Sequence, residues 1–155
     1  MCNTDENQDT EIEQIQLLRS KGVDGFIIMP VGLKSDHIQE LIDEKIPLVL
    51  LDRCFDSIDT NSVVVDNYTG SYKAVEYLIK NGHKRIAIIQ GLPNTSTNNM
   101  RVKGYKNALI KYNIEIDENL IVGNDYRREN GYIETKLLLK MSNPPTAIFS
   151  TSDLI

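Results

Sequence analysis

The sequence predicts an α/β fold with parallel sheets, because short apolar runs alternate with longer stretches of helical periodicity. The run "VDGFIIMP" (23–30) is short, continuous and apolar, as a buried parallel strand is, and "IPLVLLD" (46–52) and "RIAIIQG" (85–91) are further predicted strands. The stretch "NNMRVKGYKNALIKY" (98–112) has the spacing of an amphipathic helix. Strands that alternate with helices of roughly ten to fifteen residues indicate βαβ units.

The first half of the chain yields two helices and three strands. Ile12, Ile15 and Leu18 recur at helical spacing, and Gly22 stands where that helix should end. Ser35 is placed to cap the second helix. The predicted elements are helix 10–22, strand 23–30, helix 36–45, strand 46–52 and strand 62–66, with a helix-free loop over 53–61.

The second half repeats the alternation. Its predicted elements are helix 70–81, strand 85–91, helix 98–112, strand 120–123, helix 129–140 and strand 146–151. The natural division lies between Asp66 and Asn67, where the helix-free strand pair ends. We therefore expect two parts, residues 1–66 and 67–155. Both ends of the chain look cut, since a complete doubly wound lobe needs further strands.

Composition narrows the function classes. The net charge is −5 and the pI is about 5.0, which argues against a large phosphate-binding surface because such a surface needs clustered Lys and Arg. No segment approaches the roughly 20 apolar residues of a membrane span, and the polar start is not a signal peptide. Cys2 and Cys54 suggest reduced thiols. We expect a soluble cytoplasmic protein.

Enzyme signatures are missing from the sequence. It contains no G-x-S-x-G, H-E-x-x-H, phosphate-loop or dinucleotide-binding motif. His37 and His83 have no Cys or His at metal-ligand spacing, and His83 suits a capping or packing role in a turn. We expect no catalytic residue, no metal site and no cofactor.

Polar residues instead follow several predicted strands. Asp52, Asp66, Gln90 and the pair Ser152–Asp153 all stand at carboxyl ends of apolar runs. Open α/β sheets bind ligands beyond this edge. Each residue taken alone could equally cap a helix or form a turn, but their convergence on one edge favours a binding site.

Five segments together resemble the lactose repressor/galactose repressor family of bacterial transcription regulators. They are "VDGFIIMP", "IPLVLLDR", "SVVVDNYTGSYKAVEYLIKNGHKRIAII", "RVKGYKNAL" and "PPTAIFSTSDL", and the resemblance covers nearly the whole chain. It implies the periplasmic-binding-protein-like type I fold, with two doubly wound parallel-sheet lobes and an effector in the cleft between them. The family's helix-turn-helix, its hinge helix and parts of both lobes have no counterpart, so we expect a fragment truncated at both ends.

The resemblance also implies site residues. Asp52 matches a cleft aspartate that accepts hydrogen bonds from effector hydroxyls, and Arg101 matches the cleft arginine; the alternative for Arg101 is a surface ion pair. Tyr126 matches an aromatic position that stacks on the effector, and otherwise it only covers the sheet edge. Thr97 could donate a hydroxyl contact. Ser152 stands where the family usually has asparagine, which puts direct contact there in question.

Other positions have structural roles by the same resemblance. Asp66 and Asn67 would form the crossover at the hinge between lobes. Gly70 would allow the next helix to start close to a neighbouring strand, and Gly82 would be the left-handed residue that ends it. Asp153 would be a structural cap.

The sequence thus predicts part of the effector-sensing domain of a bacterial transcriptional regulator. The effector is a sugar-like molecule, a nucleobase or a sugar phosphate. The expected partners are a second copy of the chain, in a homodimer, and operator DNA through the missing helix-turn-helix alone; no membrane is expected. Two alternatives stay open: an exported solute-binding protein of the same fold, and a small flavodoxin-like enzyme.

Overall fold

The computed structural model describes residues 1–155, which form two compact units, residues 1–65 and 66–155. The first unit contains α1 (Gln8–Ser20), β1 (Phe26–Ile28), α2 (Asp36–Asp43), β2 (Leu48–Leu51) and β3 (Ser62–Val63). The second contains α3 (Asn67–Lys80), β4 (Ile86–Ile89), α4 (Ser96–Lys111), a 3-10 helix (Glu118–Leu120), β5 (Ile121–Val122), α5 (Arg128–Leu139) and β6 (Ala147–Ser150). No helix is long and apolar enough to cross a bilayer.

The first unit is built on a parallel sheet of order β1-β2-β3. Ile15 from α1 and Ile38 and Leu41 from α2 pack on one face of this sheet. That face presents the alternate strand residues Phe26, Ile28, Leu48 and Leu50, which are buried. The neighbouring residues, including Ile27 and Val63, point to the opposite face and are exposed.

The second unit has a parallel sheet of order β5-β4-β6. On one face, Ile86 and Ile88 of β4 pack with residues of α3 and α4, among them the fully buried Tyr105. On the other face, Ala87 and Ile89 pack with Leu138 of α5. The central strand is therefore buried on both sides, as its unbroken apolar run predicts. Both parallel sheets confirm the predicted fold class.

Three helices, α1, α3 and α4, begin two or three residues before the predicted starts. α1 begins at Gln8 because the Asn7 side chain caps it, accepting a hydrogen bond from the Thr10 N–H at 3.0 Å. α3 begins at Asn67, well before the predicted start at Gly70, because Asp66 accepts from the Thr69 N–H at 2.9 Å. Short polar side chains that cap backbone N–H groups can extend a helix beyond its apolar stripe.

Ser35 stands at the predicted N-cap position of α2, but the predicted capping by its side chain is wrong. Ser35 has φ −120° and ψ 6° and makes no capping hydrogen bond with its side chain. Capping normally requires the extended backbone of the β region, which points the hydroxyl at the first turn. Strand 62–66 is also shorter than predicted, since only Ser62 and Val63 pair with β2.

The two glycine predictions for α3 had different outcomes. Gly82 has φ +93°, and the N–H groups of Gly82 and His83 return to the carbonyls of Ile79 and Leu78. This is the left-handed helix end that the sequence predicts. A Cβ at Gly70 would meet nothing within 4 Å, so the predicted close approach there is wrong. The close approach occurs at Gly104 of α4, where a Cβ would lie 2.5 Å from the carbonyl oxygen of Tyr68 in α3.

Candidate functional site

The carboxyl edge of the second unit's sheet begins with Gln90, which directly follows β4. The Gln90 side-chain oxygen accepts a hydrogen bond from the amide of Asn98 at 3.0 Å, and the Asn98 oxygen accepts from the Gly91 N–H at 3.1 Å. Asn98 lies in the first turn of α4 and is only 2 % exposed. Its two bonds fix the loop after β4 against the start of α4.

Asn130 does the same for the loop after β5. Its amide donates to the backbone carbonyl of Asp125 at 2.8 Å and to that of Gln90 at 3.4 Å. Asn130 is buried at the start of α5. Two buried amides therefore hold both loops at this edge, and neither carries a charge.

Tyr126 lies over the same edge because Gly91 leaves room for its ring. A Cβ at Gly91 would fall inside the Tyr126 ring, so any other residue would displace it. The Tyr126 hydroxyl lies 3.3 Å from the hydroxyl of Thr97, which is 2 % exposed. The structure thus brings two of the predicted binding residues into contact.

Arg101 connects three elements of the second unit. Its Nε donates to the Asn67 side chain at the start of α3 at 2.8 Å, and its Nη1 donates to the Thr151 carbonyl after β6 at 2.7 Å. Its partners are an amide oxygen and a backbone oxygen rather than a carboxylate. The Thr151 hydroxyl is buried beside this contact and has no hydrogen-bond partner in the protein.

Ser152 and Asp153 occupy the turn after Thr151. The Ser152 hydroxyl accepts from the Leu154 N–H at 3.3 Å and lies 3.4 Å from the Asp153 carboxylate, to which it donates. The side chain that binds the backbone of this turn is therefore Ser152, whereas Asp153 is exposed.

Asp66 and Asn67 begin the second unit. The Asp66 pKa lies below its ordinary value because the carboxylate accepts hydrogen bonds from Thr69, with a smaller contribution from the charge of Lys73. Asp66 thus stays ionised at the positive end of α3. It caps the helix, and Asn67 holds Arg101.

Asp52 lies at the carboxyl edge of the first unit. It is half-buried and directly follows β2, and its φ of +64° is unusual for a residue with a side chain. Its N–H donates to the Val63 carbonyl at 2.8 Å. A non-glycine residue held in this region stores strain, which clusters at functional positions.

Arg53, the next residue, carries a bidentate ion pair that the sequence analysis missed. Its Nη1 and Nη2 donate to the two carboxylate oxygens of Glu6 at 2.7 and 2.8 Å. Nη1 also lies 3.4 Å from the Pro30 carbonyl, to which it donates. The Arg53 side chain is 10 % exposed, whereas that of Glu6 is 52 % exposed.

A second pair of ionisable side chains lies beneath the loop after β1. Glu11 of α1 and His37 of α2 approach to 2.7 Å, and their side chains are 5 % and 7 % exposed. The other Glu11 oxygen accepts from the Val31 N–H at 3.1 Å. One carboxylate therefore joins α1, α2 and this loop.

The missed residues left weak signals in the sequence. Glu11 lies four residues before Ile15, on the stripe that α1 buries, and His37 is adjacent to the buried Ile38. A charged residue on a buried stripe indicates a partner elsewhere in the chain. Asn98 and Asn130 gave no such signal, because polar residues in a first helical turn are ordinary.

The two parallel sheets, with polar groups gathered at their carboxyl edges, define a ligand-binding α/β domain of the periplasmic-binding-protein-like class. The family described as "Periplasmic binding proteins and sugar binding domain of LacI family" matches residues 1–155. The chain belongs to this family, which confirms the resemblance seen in the sequence.

Individual relatives are regulators. The chain is 34 % identical to catabolite control protein A of Priestia megaterium over 99 % of its own length and 46 % of that protein. It is 33 % identical to the transcriptional regulator DegA of Bacillus subtilis (strain 168), over 100 % of this chain and 47 % of the relative. The crystal structure of the transcription regulator CcpA of Lactococcus lactis superposes with a TM-score of 0.89 at 30 % identity, covering 99 % of this chain and 56 % of that one.

These relatives favour a regulator over an exported solute-binding protein. The chain spans about half the length of the curated relatives it matches. Within that span it contains both compact units and both carboxyl edges.

Proposed function

We propose that this chain is the effector-sensing part of a transcriptional regulator and that the carboxyl edge of the second unit's sheet binds a small molecule. The assembly around Tyr126 carries the proposal. An aromatic ring seated on Gly91, a buried Thr97 hydroxyl and the Arg101 donor fork occupy the edge where open parallel sheets bind ligands.

The chemistry of the edge favours an uncharged, hydroxyl-rich or planar effector, with sugar phosphates as a further class. The Tyr126 ring offers an apolar face to a sugar ring or a nucleobase. Arg101 and Thr97 supply donors at this edge. At the edge of the first unit, taken by itself, Asp52 supplies an acceptor. The buried Thr151 hydroxyl lies beside Arg101 and is a further group that an effector can engage.

Regulation follows from differential affinity. An effector that binds one arrangement of the regulator more tightly shifts the population toward that arrangement. In the longer protein, operator DNA is contacted by a helix-turn-helix outside residues 1–155, and two copies form a homodimer in the cytoplasm. Light scattering on the chain tests the dimer, and a clean monomer at high concentration contradicts it.

A thermal-shift panel tests the proposal directly. The chain is melted with neutral monosaccharides, nucleobases and sugar phosphates at matched ionic strength, and hits are titrated by calorimetry. A ligand at roughly 100 times its Kd should stabilise the folded state by about 2.7 kcal/mol. Tyr126→Ala should abolish the shift, whereas Tyr132→Ala, an exposed tyrosine on α5, should preserve it. A panel without any shift, or shifts equal in both variants, would sink the proposed site.

A further inference from the structure

The turn before α1 presents Glu6 to the carboxyl edge of the first unit. The Asn7 N–H donates to the Thr4 carbonyl at 2.9 Å, which closes a turn over Asp5 and Glu6. Both central residues have positive φ, +48° and +59°. Glycine, Asn and Asp usually fill such positions, and a glutamate is unfavourable there. The turn is therefore strained while it delivers the Glu6 carboxylate.

The contact it makes is one that an external ligand could replace. Two parallel N–H···O bonds between Arg53 and Glu6 are the geometry with which a guanidinium binds a carboxylate or phosphate edge. Arg53 is held by burial and by the Pro30 carbonyl. Glu6 is half exposed and tied to the unit's sheet edge through this pair. If the pair opens, Glu6 can leave and Arg53 stays.

The rest of α1 does not depend on Glu6. Asn7 caps the helix, and the Gln8 amide donates to the Lys34 carbonyl at 2.5 Å. One turn further on, the buried Glu11 binds both His37 and the Val31 N–H. These contacts keep α1 and the loop after β1 in place when the turn alone opens.

We propose that Glu6 is an internal competitor that occupies the Arg53 fork, and that a ligand with two adjacent acceptor oxygens displaces it and releases the strained turn. The ligand class is an oxyanion, such as the phosphate or carboxylate group of an effector. The proposal rests on the proposed function in one respect, namely that this edge faces the effector. Glu6 thereby raises the effector concentration needed for binding at Arg53, since the effector must displace a carboxylate that is already bound.

Inorganic phosphate is the probe, and the isotopically labelled chain is followed by NMR at constant ionic strength. Glu6→Gln removes the competing charge, and Glu13→Gln removes an equal charge from an exposed position of α1. Phosphate should bind Glu6→Gln about two- to fivefold more tightly than the unchanged chain, because an ion pair whose carboxylate is half exposed contributes little. The control should match the unchanged chain. Phosphate should shift the Arg53 side-chain signal in all three proteins and the Asp5 and Glu6 amide signals in the unchanged chain.

Arg53→Lys in the Glu6→Gln background separates the fork from simple charge, because lysine keeps the charge without the planar donors. It should lose the gain in affinity. Equal phosphate affinity in Glu6→Gln and the unchanged chain, or an Arg53 signal that never moves, overturns the proposal. So does an equal gain in Glu13→Gln, which would be a net-charge effect. The effector panel tests Tyr126 in the second unit, whereas the phosphate titration tests Arg53 in the first. A negative phosphate titration therefore leaves the proposed function standing, and a negative effector panel leaves the phosphate result interpretable.

Discussion

The two carboxyl edges are held by different chemistry. In the first unit, the loops after the strands are fixed by ionisable side chains, Glu11 with His37 and Glu6 with Arg53. In the second unit, neutral amides do the same work, with Asn98 binding the loop after β4. Ionised pairs are costly to break, but a competing charge can open them. Amide hydrogen bonds cost less to break, and a competing charge does not open them.

The two edges also differ in how an arginine side chain is used. In the second unit, uncharged side chains hold the loops, and the Arg101 guanidinium lies at the edge, where it links Asn67 to Thr151. The first unit uses its arginine within the fold, because Arg53 is engaged by Glu6 and Pro30. The four predictions below test this contrast.

The largest effect should come from Glu11→Ala. Removing the carboxylate leaves His37 and the Val31 N–H without their partner in a buried site, and we expect a loss of about 3–5 kcal/mol in unfolding free energy. Asn98→Ala should cost only about 1–3 kcal/mol, because a neutral hydrogen-bonding group is lost. Urea denaturation gives both values, and hydrogen exchange of β1 and β4 amides assigns each loss to its unit.

Glu13→Ala is the control for that experiment, since Glu13 is exposed on the same helix and should change stability by less than about 0.5 kcal/mol. If Asn98→Ala destabilises more than Glu11→Ala, the contrast between charged and neutral edges is wrong.

Arg101→Ala should weaken effector binding by about 1.5–3 kcal/mol, the range for hydrogen bonds to a charged group. Unfolding free energy should fall by less, because Arg101 is a half-buried side chain outside the apolar core. Calorimetry with a ligand from the panel, run beside thermal melts, separates the two losses. Lys103→Ala, an exposed cation on the same helix, serves as the matched variant. Equal affinities in both variants would mean that Arg101 only ties Asn67 to Thr151.

In the second unit, α3 and α4 are in close contact at Gly104. Gly104→Ala places a methyl group 2.5 Å from the Tyr68 carbonyl and 2.9 Å from the Tyr72 nitrogen. Overpacking of this kind should cost about 1–3 kcal/mol in unfolding free energy. Gly70→Ala, in open space on α3, should be neutral or stabilise by up to about 1 kcal/mol through helix propensity. Urea denaturation midpoints of the two variants measure this difference. Similar losses of unfolding free energy in both variants would contradict the close contact at Gly104.

The smallest effect concerns a cluster of charged groups around Glu76, on α3 of the second unit. Glu76 has its pKa lowered to about 2, chiefly by hydrogen bonds from Lys80 and then Tyr112, with Lys111 contributing less. Because the folded-state pKa is depressed, this stabilisation is complete above the ordinary value of 4.5 and is lost as the pH falls toward about 2. Urea midpoints between these pH values should fall less steeply in Glu76→Gln. An identical slope in the variant would show that the cluster contributes nothing.

Several elements could be predicted from the sequence because their signals are local. The unbroken apolar run of β4 indicates a strand buried on both faces, and it is buried on both faces. Gly82 ends α3 with the backbone that glycine permits. Asp52, Arg101 and Tyr126 could be named from strand ends and family resemblance, although their binding roles stay predictions.

The sequence by itself determined the order of helices and strands, the parallel sheets and the edge at which polar groups gather, since periodicity and turn residues act over a few neighbours. Only the tertiary structure decided which partners those groups have. Glu11 meets His37 across 26 residues and Arg53 meets Glu6 across 47, and Gly104 rather than Gly70 admits the neighbouring helix. Such pairings depend on how whole elements pack, and no local pattern of residues records that geometry.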